Sequence, residues 1–251
     1  MSNKPWELKT DDYRESDTLP TFIIFCEDGV CEPNYFKSFE TSLIKINPIP
    51  NQKSDWSNVT RALAHCREVG IMDDALEMVR PDNVTIWCVF DMDNEQNTNI
   101  KKEVEFQTSI ELAESKGLKV AWSNDAFELW ILLHFQDVDA SEKYKCRTTY
   151  YEELTAIFSN LPEKNERLLK ALSHASFNYK QDLKSERNFK EVVIPELGKS
   201  LSNAIERAEK LEEYYTQQGI TDIIKQAPST KVHRLVKELL KAGKKMRTNI
   251  R

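Results

Sequence analysis

Two aspartates one residue apart follow a run of strongly apolar residues. Residues 84–90 read VTIWCVF and lead directly into Asp91 and Asp93. A continuous apolar, β-branched run of this length predicts a strand that is buried on both faces of a parallel sheet. Carboxylates at the end of such a strand repel each other unless a cation lies between them, so the pair predicts a magnesium site. The alternative is a solvated turn between a strand and a helix, where Asp is also common.

A third carboxylate follows a second apolar run. Residues 21–26 (TFIIFC) predict another buried strand, and Glu27 comes directly after it. If the two strands are neighbours in one sheet, Glu27, Asp91 and Asp93 converge on one edge of that sheet. A site made only of oxygen ligands suits Mg²⁺ or Mn²⁺, so we expect one of these ions as the cofactor.

Two further glutamates stand at predicted helix starts. Glu32 precedes Pro33, which suits the first turn of a helix, and Glu128 opens a long apolar stretch. Acidic residues favour a helix N-terminus, and Asp125 with Glu128 has the spacing of a variant capping box. From this local context alone, a structural role is the better interpretation of both glutamates.

The order of the elements predicts a doubly wound α/β domain that is followed by a helical region. The predicted strands cover residues 21–26, 44–49, 84–90 and 118–122. Helices are predicted from residue 33 and over residues 55–66, 75–79, 99–116 and 123–135, of which the last is apolar on nearly all sides and therefore buried. Beyond residue 135 we expect helices over residues 150–158, 166–175, 192–215 and 231–240.

These elements divide the chain into three predicted parts. We expect an irregular segment over residues 1–20, a catalytic α/β domain over residues 21–142, and a helical region over residues 143–251. The composition, with 40% hydrophobic and 30% charged residues, supports a real core. No apolar run approaches the ~20 residues that span a membrane. The N-terminus lacks an apolar signal core, so we expect a cytoplasmic protein without a membrane partner.

The cysteines favour a reducing compartment. The five cysteines are odd in number and lack C-x-x-C spacing, which suits reduced core thiols better than disulfides or zinc. Cys31 lies near the acidic residues, but no motif pairs it with a base, so a nucleophilic role is not favoured.

Charge is distributed unevenly along the chain. Residues 231–251 contain eight Lys or Arg and one Glu, a charge of +7, whereas the whole chain carries −6. A basic tail on an acidic body suits nucleic acid or an acidic partner, and the alternative is a solvated last helix. If the tail does not guide a polyanion, we expect the guiding charge around Arg147, Lys180, Lys184 and Arg187.

Four motifs together resemble one known family. Residues 27–36 (EDGVCEPNYF) resemble the E-G-x-x-T-E-P-x-Y-F opening of RloB-like proteins, and residues 90–93 (FDMD) resemble their Asp-x-Asp strand end. Residues 123–135 (SNDAFELWILLHF) look like their S-N-P-x-F-E-L-W-x-L-L-H-F signature, and residues 227–233 (APSTKVH) are similar to a short motif near their C-terminus. The family has Gly, Thr and Pro at the positions that are occupied here by Asp28, Cys31 and Asp125.

The resemblance implies a Toprim-like fold, the metal-dependent catalytic module that topoisomerases, primases and OLD-type nucleases share. A mostly parallel sheet flanked by helices would then be followed by a helical C-terminal appendage. The core acidic triad would be Glu27, Asp91 and Asp93. Glu32 matches the second glutamate of the OLD-type opening, whereas Glu128 and His134 match signature positions without an assigned role. The family is associated with prokaryotic restriction and phage-defence loci, often beside an ABC-type ATPase.

The leading hypothesis is a metal-dependent nuclease effector of a prokaryotic antiviral system of the abortive-infection type. Its substrate would be RNA, including transfer RNA, or DNA. The candidate catalytic residues are Glu27, Glu32, Asp91, Asp93 and Glu128, and the candidate metal ligands are Glu27, Asp91 and Asp93. The alternative is a non-catalytic Toprim-like subunit that binds an ABC-type ATPase and a phage trigger. Assembly into a homo-oligomer is open in both cases.

Two other classes fit less well. A receiver-type phosphoacceptor needs a lysine at the end of a later strand, but the strand that starts at residue 118 leads into Ser123 and Asn124. A phosphatase of the Asp-x-Asp type carries its aspartate pair on the first strand, which is not the case here.

Overall fold

A computed structural model describes most of the chain, namely residues 19–53, 55–79, 82–93, 100–141 and 146–244. The predicted irregular segment lies almost entirely outside these residues. The last part of the basic tail, from residue 245 onward, also lies outside them.

One five-stranded sheet forms the centre of the fold. Its strands are β1 (Thr21–Cys26), β2 (Lys45–Ile49), β3 (Val84–Asp91), β4 (Lys119–Asn124) and β5 (Ser229–Thr230). Their spatial order is β2-β1-β3-β4-β5. The first four strands are parallel, and β5 is antiparallel to β4. The predicted α/β class with a mostly parallel sheet is therefore confirmed.

Helices flank the sheet and fill the region after it. The helices up to residue 141 are α1 (Cys31–Lys37), α2 (Asp55–Glu68), α3 (Ile100–Ser115) and α4 (Phe127–Leu133). The later helices are α5 (Arg147–Asn160), α6 (Glu166–Leu172), α7 (Glu186–Asn188), α8 (Ile194–Lys199), α9 (Leu201–Gln217) and α10 (Val232–Lys244). Shorter turns complete this region: two π-helical turns, Tyr179–Leu183 and Phe189–Val193, and a 3-10 turn, Ile223–Lys225.

The apolar runs form the central strands because helices cover both faces of the sheet. Alternate side chains of β1 enter two different apolar clusters. Ile23 and Phe25 pack with α2 and α3 on one face, while Phe22 and Ile24 pack with α1, α4 and α10 on the other. A strand that is buried on both faces has no polar side to show, which explains the continuous apolar sequence.

Two predictions between the strands are wrong. Residues 75–79 are not helical, since an isolated antiparallel bridge between Met72 and Met78 closes a loop there. Leu76 in this loop has a φ of 59°, which a right-handed helix does not allow. Apolar residues recur at helical spacing from Pro33 to Ile46, but the helix ends at Lys37, and Leu43 and Ile46 belong to a loop and to β2.

The long helix predicted over residues 192–215 is also wrong in its extent. A π-helical turn, α8 and α9 occupy this stretch instead. Pro195 lies in the first turn of α8, where its missing N–H is tolerated. Ser200, with φ −133° and ψ 23°, separates α8 from α9. The apolar periodicity continues through the break, so the pattern alone did not reveal it.

The helical region packs on the same core as the sheet. All seven residues of α4 are buried, as predicted, and Trp130 is 0% exposed. One apolar cluster joins α4 to side chains of β1 and of α5, α9 and α10. The region after residue 143 also contributes β5, which no pattern predicted. The predicted domain boundary at residue 142 stays a prediction.

Four of the five cysteines are buried, and all five are free thiols. None of the described helices is long and apolar enough to cross a membrane.

Candidate active site

Glu27 and Asp91 meet at the carboxyl edge of the sheet, where β1 and β3 end side by side. Glu27 directly follows β1, and Asp91 is the last residue of β3. The Glu27 carboxylate accepts a hydrogen bond from the backbone N–H of Asp91, with 2.8 Å between Oε2 and N. The two strands are neighbours, which was the condition for the predicted convergence, and their pairing brings the two carboxylates together.

Asp91 is 4% exposed, and its two carboxylate oxygens have different surroundings. Oδ2 accepts a hydrogen bond from the N–H of Phe127 at 2.9 Å and another from Arg147 Nη2 at 2.8 Å. Oδ1 is buried and has no hydrogen-bond partner within the described part of the chain. Because a buried carboxylate oxygen without a partner costs free energy, Oδ1 is suited to bind a cation.

Asp93 lies two residues beyond Asp91, after the end of β3. Its φ of 50° is in the left-handed region, which Asp and Asn tolerate better than most residues. Its carbonyl accepts a hydrogen bond from Lys102 Nζ at 2.6 Å. Its carboxylate oxygen Oδ1 lies 2.6 Å from Arg147 Nη2. The side chain is 24% exposed, so Asp93 lies nearer to solvent than Asp91.

Arg147, the first residue of α5, bridges the two aspartates. The same nitrogen, Nη2, lies 2.8 Å from Asp91 Oδ2 and 2.6 Å from Asp93 Oδ1. Its Nε lies 3.6 Å from Glu128 Oε2. Burial by itself lowers the pKa of Arg147, but the surrounding carboxylates raise it above its ordinary value, so the guanidinium stays charged. The sequence analysis predicted Arg147 only as one of several positive charges that attract a polyanion, and not as a residue of the acidic site.

Glu128 does not form the predicted capping box. The N-cap of α4 is Ala126 rather than Asp125, and no cap side chain forms a hydrogen bond there. The first N–H of α4, from Phe127, is instead bound by Asp91. Helix α4 therefore begins one residue later than the capping box requires.

Glu128 is instead the buried partner of two basic side chains. It is 2% exposed, and its Oε1 lies 2.6 Å from Lys184 Nζ while its Oε2 faces Arg147. Burial raises the pKa of Glu128, but attraction by Lys184 and Arg147 outweighs burial and holds this pKa below its ordinary value. The ionised carboxylate thus positions two cations that come from the helical region.

Glu32 belongs to the same acidic group. It is 1% exposed, and its Oε2 accepts a hydrogen bond from the N–H of Asp28 at 3.3 Å. Burial raises the pKa of Glu32 well above its ordinary value, and repulsion by Asp28, Asp91 and Glu27 raises it further. We use the name acidic cluster for the carboxyl groups of Glu27, Glu32, Asp91, Asp93 and Glu128.

Crowding of like charges changes the acidity of the cluster. Burial raises the pKa of Glu27 to about 7, with a further increase from Asp93, although the hydrogen bond from Asp91 lowers it. Burial also raises the pKa of Asp91 well above its ordinary value, and Glu27 and Asp93 add to this effect in spite of Arg147. Additional positive charge at this edge of the sheet would relieve the repulsion.

Cys31 is beside the acidic cluster but is not an activated thiol. It is 1% exposed, and burial together with Asp28 raises the pKa of its thiol well above the ordinary value. Because the thiolate is the nucleophilic form, this environment argues against a role for Cys31 in covalent catalysis.

His134 lies in the core and connects three helices. It is 2% exposed, and its Nδ1 donates to the carbonyl of Leu197 in α8 at 2.8 Å. Its Nε2 then accepts from the hydroxyl of Tyr35 in α1 at 3.4 Å. Burial lowers the pKa of His134 to about 4, so the ring is neutral near pH 7. Two of the motif residues thus form a structural contact outside the acidic cluster.

The motif near the C-terminus also has a structural role. Ser229 and Thr230 form β5, and the hydroxyl groups of Thr230 and Ser123 lie 3.1 Å apart. The next residues of this motif surround Glu212 of α9, which lies 2.9 Å from Lys231 Nζ and 3.1 Å from His233 Nε2. This network fastens α9 and α10 to the edge of the sheet.

One set of observations favours binding of a divalent metal by the acidic cluster, and another argues against it. In favour, every donor is a carboxylate oxygen, as Mg²⁺ and Mn²⁺ prefer, and Asp91 Oδ1 is buried without a partner. Against it, no group of three or more acidic, His or Cys side chains in the described ranges is already arranged around a common point. The residues therefore fit the ion chemically, although Arg147 already pairs with Oδ2 of Asp91 and Oδ1 of Asp93.

These observations define an α/β protein with an acidic cluster at the carboxyl edge of its parallel strands. The family model of RloB-like proteins matches residues 22–239, which is most of the chain. The chain therefore belongs to the RloB-like family, and the resemblance stated from its four motifs is confirmed. No curated protein and no solved structure matches the chain.

Proposed function

We propose that this chain is a metal-dependent nuclease of Toprim type that acts as an effector of a prokaryotic antiviral defence system. Its reaction would be hydrolysis of phosphodiester bonds in RNA, including transfer RNA, or in DNA. The observation that carries this proposal is the acidic cluster, in which carboxyl groups from four elements share one edge of the sheet although their repulsion costs stability. Membership of the RloB-like family supports it.

Asp91 and Asp93 are the proposed ligands of Mg²⁺ or Mn²⁺, with Glu27 as a further ligand or as the general base. When bound, the ion would polarise the scissile phosphate and stabilise the charge that develops on it. A scaffold without catalysis has no evident need for buried carboxylates that repel each other.

Glu27 is the proposed general base. In the metal-free chain its pKa of about 7 is close to the operating pH, where a base combines useful basicity with a large ionised fraction. Glu27 would accept a proton from the attacking water as the water oxygen bonds to phosphorus. The bond from phosphorus to the leaving oxygen breaks, and that oxygen takes a proton from solvent. Glu32 and Glu128 would support this arrangement, since Glu32 is buried beside the other acids and Glu128 is paired with Lys184 and Arg147.

Cleavage assays with the purified full chain test the proposal. Labelled transfer RNA, other RNA and DNA should be incubated with Mg²⁺ or Mn²⁺, with chelator as the blank, and with the genomic neighbour added in a parallel series. Asp93→Asn should abolish cleavage without unfolding the chain, because Asn keeps the left-handed backbone. The matched control is Asp137→Asn, which removes a carboxylate that is 75% exposed. Cleavage that survives Asp93→Asn would contradict the assignment.

One observation favours the alternative of a non-catalytic subunit that binds an ABC-type ATPase and a phage trigger. Arg147 already neutralises Asp91 and Asp93, so the cluster has a structural counter-ion without a metal. Phage protection in cells distinguishes the two functions. The nuclease loses protection with Asp93→Asn, whereas the non-catalytic subunit keeps it. Sequencing nucleic acids from cells that express the chain with its neighbour would then identify the substrate.

A further inference from the structure

We propose that Arg147 binds a phosphate group of the nucleic-acid substrate, and that it does so after a divalent cation has replaced it on Asp91 and Asp93. This inference rests on the proposed function, because it names the residue by which an acidic site receives a polyanion. It makes Arg147 a substrate-binding residue of the site rather than a permanent salt bridge.

Arg147 and a metal ion would compete for the negative charge of the same two carboxylates. The nitrogen Nη2 lies 2.8 Å from Asp91 Oδ2 and 2.6 Å from Asp93 Oδ1. Asp91 and Asp93 would hold a divalent ion, whose charge is stronger than that of a guanidinium. Its positive charge would then lie beside Arg147, which is paired with the same two side chains. The two cations therefore repel each other and compete for the charge of Asp91 and Asp93.

Other contacts of Arg147 would keep its guanidinium near the acidic cluster after it leaves the two aspartates. Arg147 is the first residue of α5, and its backbone N–H donates to Asp125 Oδ2 at 3.4 Å. Helix α5 is fixed in the core by side chains such as Tyr150 and Leu154, both 0% exposed. The Nε side of the guanidinium faces Glu128, at 3.6 Å from Oε2. Release of Nη2 from the aspartates thus leaves the backbone and Nε in place.

The freed nitrogens would lie at the open side of the acidic cluster. Arg147 is 27% exposed and Asp93 is 24% exposed, whereas Glu128 is 2% exposed. The planar fork of an arginine matches two oxygens of a phosphate group. Lys184 holds the other oxygen of Glu128 at 2.6 Å and adds a second positive charge beside the fork. A phosphate that approaches from solvent would meet these cations before it meets the deeper carboxylates.

Competition of this kind couples the two ligands. Without metal, the charge of Arg147 is neutralised by Asp91 and Asp93, and the acidic cluster repels phosphate. With metal, the aspartates are neutralised and Arg147 is available. Metal and nucleic acid should therefore each strengthen the binding of the other, as linkage requires.

The first measurement is a calorimetric titration of the full chain with Mn²⁺ alone. Arg147→Gln should bind Mn²⁺ about ten- to a hundred-fold more tightly than the wild type, since the ion no longer displaces charge-assisted hydrogen bonds. Lys184→Gln is the matched control, because it removes a nearby positive charge that contacts Glu128 rather than the aspartates. If both variants gained Mn²⁺ affinity to a similar extent, the gain would come from the loss of any nearby positive charge. The proposed competition between Arg147 and the metal ion would then be wrong.

The second measurement is fluorescence anisotropy of short labelled single-stranded RNA and DNA, with Ca²⁺, with Mn²⁺ and without metal. Arg147→Gln should bind these oligonucleotides at least several-fold more weakly in the presence of metal, although its affinity for the metal has increased. A residue that only stabilises the fold would not move the two affinities in opposite directions. The surface control is Lys210→Gln, whose amine is paired with Glu206 on α9. Unchanged oligonucleotide affinity in Arg147→Gln would overturn the phosphate-binding role.

Thermal melting shows whether each variant is folded, and Arg147→Lys is the substitute if Arg147→Gln is not. Lysine keeps the positive charge but lacks the fork, so it should show a smaller gain in Mn²⁺ affinity and a clear loss in oligonucleotide affinity. If neither the wild type nor the Arg147 variants bind Mn²⁺, the metal site of the proposed function is wrong, and this inference is wrong with it. If all bind Mn²⁺ equally, the inference alone is wrong and the proposed function stands.

Discussion

Replacement of Glu128 by glutamine tests how the helical region is joined to the acidic cluster. Glu128 is 2% exposed and lies between Lys184, at 2.6 Å, and Arg147, at 3.6 Å. Glutamine has nearly the same shape, so the packing of α4 should survive. The two basic side chains, however, would lose the negative charge that holds them. If Glu128 only capped helix α4, its replacement by glutamine would change the free energy of unfolding very little.

The expected loss in free energy of unfolding is about 1–3 kcal/mol. Removal of one partner from a fully buried ion pair costs about 3–5 kcal/mol, because the other charge is left buried and unpaired. Here Lys184 and Arg147 are 25% and 27% exposed, so water offsets part of that cost. Arg147 also keeps Asp91 and Asp93 as partners. The lower part of the range therefore applies if Lys184 turns into solvent.

Urea denaturation followed by circular dichroism measures this loss. The matched control is Glu191→Gln, because Glu191 also pairs with two arginines, Arg167 and Arg187, but lies at the surface. That control should leave the unfolding midpoint unchanged. A double-mutant cycle with Lys184→Met should show that most of the loss is shared between Glu128 and Lys184.

The pH dependence provides a second, independent signature. The pKa of Glu128 is lower in the folded chain than its ordinary value of 4.5. Such a carboxyl group stabilises the fold above the unfolded-state pKa, and this contribution is lost as the pH falls through the folded-state pKa. The stability difference between wild type and Glu128→Gln should thus be complete at neutral pH and shrink below about pH 4.5. A difference that is absent at pH 7 would refute the role of Glu128 as an ionised anchor.

The remaining predictions concern the core, the general base and the tail. Trp130→Ala should cost about 3–5 kcal/mol in urea denaturation, because the indole is 0% exposed, and a cost below about 1 kcal/mol would contradict the buried position of α4. Since the folded-state pKa of Glu27 is about 7 and its ordinary value is 4.5, the metal-free chain should lose stability as the pH rises between these values. Glu27→Gln should remove that loss, and a wild-type midpoint that rises over this range would refute it. Neutralising the last basic residues should flatten the salt dependence of nucleic-acid binding by about one unit of slope per lost phosphate contact, whereas an unchanged slope would make the tail a solvated helix end. The residues to neutralise are Lys241, Lys244, Lys245 and Arg247.

Local sequence was sufficient for the four parallel strands and for the placement of three acids. The runs that form β1 and β3 are continuous and apolar because both faces of these strands are covered, and this pattern is visible without any knowledge of contacts. Glu27, Asp91 and Asp93 directly follow or end those runs, so their meeting at one edge needed only the assumption that the strands are neighbours. The burial of α4 was visible in the same way.

Patterns of apolar residues were weaker guides where the backbone interrupts a helix. The apolar spacing over residues 192–215 continues through α8 and α9. The break between these helices at Ser200 could therefore not be predicted from the periodicity of apolar residues. Strand β5 has two residues, which is too short for any alternation to identify it. Its pairing with β4 depends on how α9 and α10 pack against the sheet.

The amino-acid sequence by itself therefore determined the α/β class, the central strands and the acids that end them. Only the tertiary structure decided how those acids are paired. Arg147 and Lys184 occur in a helical region whose surface is rich in basic residues, and no local pattern separates them from their neighbours. They become part of the site because α5 packs beside α4, and the turn at Tyr179–Leu183 packs beside α5, which brings both side chains to Glu128. Electrostatic pairing depends on distance in space, and that distance is fixed by the packing of elements that are far apart in the chain.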